Sequence, residues 1–278
     1  MQRIMLIDSH VHFWNFDKQN DAWITNNMKI LQQDFLPVNI LPTLQEAGVD
    51  GLVAVQAGQS ETETNFLLSL AQTNSFINGV VGWVDLQNET VEDRLNYYAQ
   101  FTAIKGWRHI IQAEAEGFLS GKNFIKGIAQ LQLFNYTYDI LVYQHQLKEV
   151  LELVQKFPNQ KFVIDHCAKP DIKNKSIEPW KTLIKEIASN PNAYCKLSGL
   201  LTESNWQQWE PKDFYPYLDV VFEAFGAKRL LFGSDWPVML LSGKYVQWKN
   251  LVEIYLKPFS AEEQNNIMGT NAINFYNL

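Results

Sequence analysis

Cysteine is nearly missing from this 278-residue chain: Cys167 and Cys195 are the two present, and neither stands in a C-x-x-C pair. A disulfide scaffold is thereby excluded, and a reducing cytosol fits. Basic charge is also short, with 23 Lys and Arg against 30 Asp and Glu and a net charge of −7. Without a basic stripe, nucleic acid is not expected as the main partner, and an anionic membrane surface has little to hold. No apolar run approaches the roughly 20 residues that a bilayer requires. The N-terminus shows no charged region followed by a long apolar run, so no signal peptide is expected. A soluble, cytoplasmic protein without a membrane partner is the expectation. Gly-x-Ser-x-Gly and the Walker-type phosphate loop are both missing, which removes the readiest signs of a serine elbow or a nucleotide cradle. No Pro/Ser-rich linker or low-complexity stretch divides the chain.

What the chain does have is 46% hydrophobic residues, enough for a sizeable core. Its length suits two average domains or one barrel of about 250 residues. An apolar run at 4–7 leads into Asp8-Ser9-His10-Val11-His12, and further strand-like runs cover 51–56, 80–84, 104–111, 138–143, 161–165, 193–197 and 229–235. Helical spacing or capping marks 42–47, 60–73, the stretch from Thr90 to Phe101, 124–133, 146–157, 179–188 and 212–225, with two further helices over 245–255 and 261–276. Eight strands alternating with helices predict a parallel sheet closed into a single (β/α)8 barrel over 1–278. The segments 13–35 and 113–121 are the extended βα loops, and the last two helices are additions.

In such a barrel, function gathers at the C-terminal ends of the strands. Four of the five histidines fall there: His10, His12, His109 and His166. In a strand, His10 and His12 share a face with Asp8. Two imidazoles so placed can grip a metal or polarise a carbonyl. Asp235, after Gly233-Ser234, can act as general base toward water, although an Asp before Trp236-Pro237 also suits a turn. His166 reads as a metal ligand or carbonyl polariser, or else as a core residue bonded to backbone. Arg108 and His109 are adjacent, so only one can face the pore. Arg108 suits a carboxylate or hydroxyl-rich substrate. Lys196 points inward with Ser198 and needs a buried acid, Asp8 or Asp139, in either a structural or a catalytic role. Trp14, Trp23 and Trp236 offer aromatic faces to a sugar ring. The two cysteines are read as small buried side chains.

These residues fall in blocks: Asp8-Ser-His-Val-His12, Lys105-Gly-Trp-Arg-His109 with Gln112 and Glu114, Asp165-His-Cys-Ala-Lys-Pro170, Lys196-Leu-Ser-Gly-Leu200, Phe232-Gly-Ser-Asp-Trp-Pro-Val238, and Gly269-Thr-Asn-Ala272 before Phe275 and Tyr276. In that order they resemble the amidohydrolase superfamily, in the amidohydrolase family 2 branch. The sugar-lactone hydrolases of L-fuconolactonase and L-rhamnonolactonase type lie there, with the related pyrone-dicarboxylate lactonase. The resemblance covers nearly the whole chain. It implies opening of a small-molecule lactone by water, with Asp235 taking the proton and His10, His12 and His166 polarising the carbonyl directly or through a metal. Arg108, His109 and Lys169 would orient the substrate, with Trp14 and Trp236 as further contacts. A metal, zinc or manganese, would take His10, His12, His166 and Asp235. No bridging lysine or carboxylate can be assigned for a second ion, and the branch also contains metal-independent enzymes. Ala168 departs from the glycine more usual in relatives. Two other functions compete: a metal-dependent decarboxylase of an aromatic or unsaturated acid, and a catalytically inactive sugar-binding barrel. The sequence sets neither the lactone nor the oligomeric state.

Overall fold

The computed structural model describes residues 5–206 and 208–278; Ile4, placed in the first apolar run, lies outside the described residues. Eight strands, β1 (Ile7–Val11), β2 (Gly51–Val55), β3 (Ile77–Gly82), β4 (Ile104–His109), β5 (Thr137–Ile140), β6 (Phe162–Ile164), β7 (Ala193–Leu197) and β8 (Leu230–Phe232), pair in parallel in sequence order. Past the end of β8, Asp235 N donates to His10 O at 2.9 Å and His12 N to Trp236 O at 2.7 Å. These two bonds join the last strand to the first, so the seam that closes the expected barrel is built from the residues of the predicted site.

The intervening helices are α1 (Pro37–Ala47), α2 (Glu61–Thr73), α3 (Val91–Tyr98), α4 (Lys122–Leu133), α5 (Leu147–Lys156), α6 (Trp180–Ala188), α7 (Tyr215–Phe225) and α8 (Tyr245–Leu256). Their local causes are visible in the sequence. Ser60 caps α2, its hydroxyl accepting from Glu63 N at 3.1 Å. In α5, Leu147, Val150, Leu153 and Val154 form one buried stripe. α1 begins five residues before the expected start at 42, because Pro37 presets the first turn and the Asn39 side chain accepts from Leu36 N at 2.7 Å.

The helix expected over 261–276 is instead three pieces: α9 (Ala261–Asn265), a π-helical turn (Asn266–Thr270) and α10 (Asn271–Tyr276). The widened turn lets Gly269 pass close to the backbone just before β1, where a Cβ would collide with the carbonyl oxygen of Met5. Strands β5, β6 and β8 stop short of the expected 143, 165 and 235, since the chain turns out of the sheet to build the site.

Two apolar layers result. One fills the space between sheet and helices. The other lies inside the barrel, where Val53, Val55, Val81, Val163 and Leu231 meet Ala272, Phe275 and Tyr276 of α10. The C-terminal helix therefore plugs the barrel interior. Among the described residues, no helix is long and apolar enough to cross a membrane.

Candidate active site

The seam described above sets the geometry. His10 lies in β1, His12 follows it, and Asp235 follows β8, all three buried. His10 Nε2 lies 3.1 Å from His12 Nε2. Asp235 Oδ1 lies 3.4 Å from His12 Nε2, 3.8 Å from His166 Nε2 and 3.9 Å from His10 Nε2. Donor atoms from three distant stretches of chain thus converge on one point.

His166 and Asp235 reach this point through backbone that L-residues seldom adopt. Asp235 has φ +62°, and His166, Cys167, Ala168 and Lys169 form an unbroken left-handed run with φ between +50° and +56°. The run is anchored rather than free. Trp180 Nε1 donates to Cys167 O at 2.6 Å, and Cys167 Sγ donates to Lys196 O at 3.3 Å. Strain concentrated at one loop and held by buried bonds is a mark of a functional site.

Each imidazole is oriented from behind. His12 Nδ1 donates to Val55 O at 2.7 Å, which turns its Nε2 toward Asp235. His166 Nδ1 meets Ser198 Oγ at 2.9 Å, and His10 Nδ1 meets Lys196 Nζ at 3.1 Å. Burial, before any charge effect, pushes His166 down to about 4 and His10 well below its ordinary value. These two rings are therefore neutral near pH 7. Burial alone would raise Asp235, but His166, the hydrogen bond with His12, and Lys169 outweigh it and hold the carboxyl below its ordinary value. It is an anion beside three imidazoles.

Beneath them lies a buried charge network. Lys196 Nζ lies 2.5 Å from Asp139 Oδ2 and 3.0 Å from Asp165 Oδ1. Arg108 Nη1 donates to Asp165 Oδ2 at 3.1 Å, and its Nη2 donates to Gln56 O. Against the cost of burial, Lys196, His10 and Arg108 hold Asp165 well below its ordinary value. Of the two acids open as Lys196 partners, the structure selects Asp139. Asp8 is occupied elsewhere, accepting from Ser234 N at 2.8 Å, His10 N at 3.1 Å and Tyr245 OH at 2.9 Å.

Above the histidines opens a cavity of about 300 Å³ whose lining includes His12, His166, Asp235, Arg108, Lys169 and Trp23. Arg108 is thus the inward member of its pair. His109 does not line the cavity: it accepts from Trp83 Nε1 at 3.3 Å, pairs with Glu114 at 2.7 Å and stacks on Phe118. Trp14 and Trp236 do not line it either, although Trp14 packs edge-on against Trp23, which does. Trp14 packs on Phe35, and Trp236 on Phe13 and Phe35 beneath the seam. The tryptophan in the cavity wall is Trp23. Asp165, to which sequence reasoning assigned no role, ties Arg108, Lys196 and His10 together, and its place beside His166 was the available signal.

A divalent ion fits the donors present. His10, His166 and Asp235 each offer a ligand atom within 4.8 Å of the others, and His12 stands against His10 and Asp235. Ligand atoms about 2.1 Å from a tetrahedral zinc lie about 3.4 Å apart, close to the spacings above. With Val55 O behind His12, Ser198 Oγ behind His166 and the Asp165 carboxylate 3.3 Å from His10 Nδ1, each ring has an acceptor for its Nδ1 proton and presents Nε2 to the shared space. Arg108 Nη1, 3.3 Å from His10 Nε2, is a cation at the edge of the same space.

The family profile described as amidohydrolase matches residues 7–278. An L-fucono-1,5-lactonase of Burkholderia multivorans is 36% identical over 284 residues, covering 98% of this chain and 96% of that protein. The L-fucono-1,5-lactonase of Burkholderia ambifaria is 32% identical over 277 residues, at 98% and 95% coverage. The crystal structure of a Burkholderia multivorans amidohydrolase with bound zinc superposes at a TM-score of 0.95 with 36% identity over 99% of both chains.

Proposed function

This chain belongs to the amidohydrolase family, and from that premise we propose that it is a sugar-lactone hydrolase acting on an aldonolactone of the fucono- or rhamnono-lactone kind. The observation that carries the reading is the convergence of an ionised Asp235 with the Nε2 atoms of His12 and His166 on the cavity wall and of His10 buried behind them. Asp235 takes the proton from a water attacking the ester carbonyl and returns it to the ring oxygen as the acyl C–O bond breaks, leaving the open hydroxy acid. A positioned base of this kind contributes about 10²- to 10⁴-fold. The carbonyl oxygen gains negative charge as water adds, and the Lys169 ammonium and the Arg108 guanidinium stand in the same cavity to stabilise it and to orient the hydroxyls. Asp165 and Gln56 hold Arg108 rigid for that task. Zinc or manganese bound by His10, His12, His166 and Asp235 would polarise the carbonyl and acidify the attacking water.

The test is a panel of aldonolactones with a pH indicator, on purified protein whose metal content is measured, with and without chelator. We expect turnover of at least one hydroxylated lactone. Asp235→Asn should lower kcat/KM by about 10²- to 10⁴-fold with an unchanged thermal melt. Undiminished turnover in that variant would remove Asp235 from the mechanism, and a parent inert toward every lactone would refute the function itself.

A further inference from the structure

Gln112 lies in the short turn Ile111–Ala113 that follows β4, on the wall of the same cavity. Two bonds fix that turn: Gln112 N donates to Leu141 O at 3.0 Å, and Gln146 Nε2 donates to Ile111 O at 2.9 Å. Its side-chain oxygen Oε1 is closed off from solvent and has no hydrogen-bond partner among the described residues. Its neighbours on the wall, Ile110, Ala113 and Leu141, are apolar and offer no side-chain donor. A buried acceptor left without a donor is costly, so such a group in a binding wall points to a donor supplied by the ligand. Arg108, also on this cavity and 3% exposed, has the opposite need, an Nε–H without an acceptor among the described residues. A hydroxyl both donates and accepts, so hydroxyls on the ring answer both needs.

We propose that Gln112 is a specificity-determining residue that accepts a hydrogen bond from one ring hydroxyl of the lactone. The chain thereby selects hydroxylated lactones with the correct configuration at that carbon. This rests on the lactonase reading and adds to it the group that reads the sugar. A site built to bond a hydroxyl rejects the analogue that lacks it far more strongly than an apolar pocket rejects a methyl group.

The experiment is a mutant–substrate cycle: parent and Gln112→Leu, each assayed on the preferred aldonolactone and on the deoxy-lactones lacking its hydroxyls one at a time. Gln112→Leu should lower kcat/KM about 10- to 100-fold on the full lactone and by less than about twofold on the single deoxy-lactone that lacks the hydroxyl read. Gln112→Glu, which keeps an acceptor oxygen, should retain the parent's ranking of the lactones. An equal loss on every lactone, or no loss on any, would overturn the assignment. A parent inactive on all of them would instead refute the lactonase function.

Discussion

At the scale of single residues, the alternation of a strand was enough to put His10 and His12 together, and the end of β8 was enough to single out Asp235. It could not choose between Arg108 and His109. Adjacent residues face opposite ways, but which one faces the pore depends on the sheet's register. Nor could it choose between Asp8 and Asp139 for Lys196, because both are inward acids and the competing donors to Asp8 come from Ser234 and Tyr245, 226 and 237 residues away. The Lys196 pairing has a direct consequence. Lys196 is fully buried between Asp139 and Asp165. Lys196→Met leaves the buried Asp139 without its cation and Asp165 with Arg108 alone, at a cost of about 3–5 kcal/mol. Urea denaturation of parent and variant checks this, and a difference under about 1 kcal/mol would mean that the acids find other partners.

At the scale of elements, strands and helices were visible because their apolar periods differ, whereas the loops that carry the chemistry follow no period. The left-handed run at 166–169 is the clearest case: with no glycine in it, nothing local announces the turn, and only the Ala168 position hinted at one. The glycine that serves this turn lies elsewhere. Gly199, after β7 at φ +65°, would bring a Cβ within 2.5 Å of the His166 ring. Gly199→Ala should therefore push His166 out of line, lowering kcat/KM at least about 10-fold while costing about 1–3 kcal/mol of stability. Intact activity in a destabilised variant would show that His166 tolerates displacement.

The β2–α2 connection carries a second device. Glu63 accepts from Ala57 N at 2.6 Å and Gly58 N at 2.5 Å. Burial raises Glu63 from 4.5 to about 7, opposed by those two bonds and by Arg108 and assisted by Asp21. A raised acid stabilises the fold fully below its ordinary value and loses that contribution as pH climbs through about 7. A glutamine side chain cannot titrate, so Glu63→Gln should gain stability relative to the parent, by about 2 kcal/mol between pH 4.5 and 8. That figure allows for the water contact the carboxyl retains. Parallel melts across that range test it, and a constant difference would show that Glu63 does not titrate there.

At the scale of the whole molecule, the barrel was predictable from eight alternating units, but its lower closure was not. The apolar spacing over 261–276 reads as one added helix, while the structure turns its last part into a plug. Tyr276 is buried in the barrel, and its OH donates to Asp139 Oδ2 at 2.7 Å. A polar column thus runs from the C-terminal helix through Asp139 and Lys196 to His10, so the chain's last turn helps to hold an imidazole at the opposite mouth. Phe275, beside Tyr276, contributes apolar packing alone. The two residues therefore separate support from coupling. Phe275→Ala should cost about 3–5 kcal/mol through the cavity it leaves, with kcat/KM of the folded protein unchanged. Tyr276→Phe should cost less, about 1–3 kcal/mol, since it removes one bond to a buried carboxylate, yet it should lower kcat because Asp139 then pulls differently on Lys196. If Tyr276→Phe kept full kcat while losing stability, the column would be only a fastening for the plug. Urea melts and lactone turnover on the same two preparations decide between these outcomes.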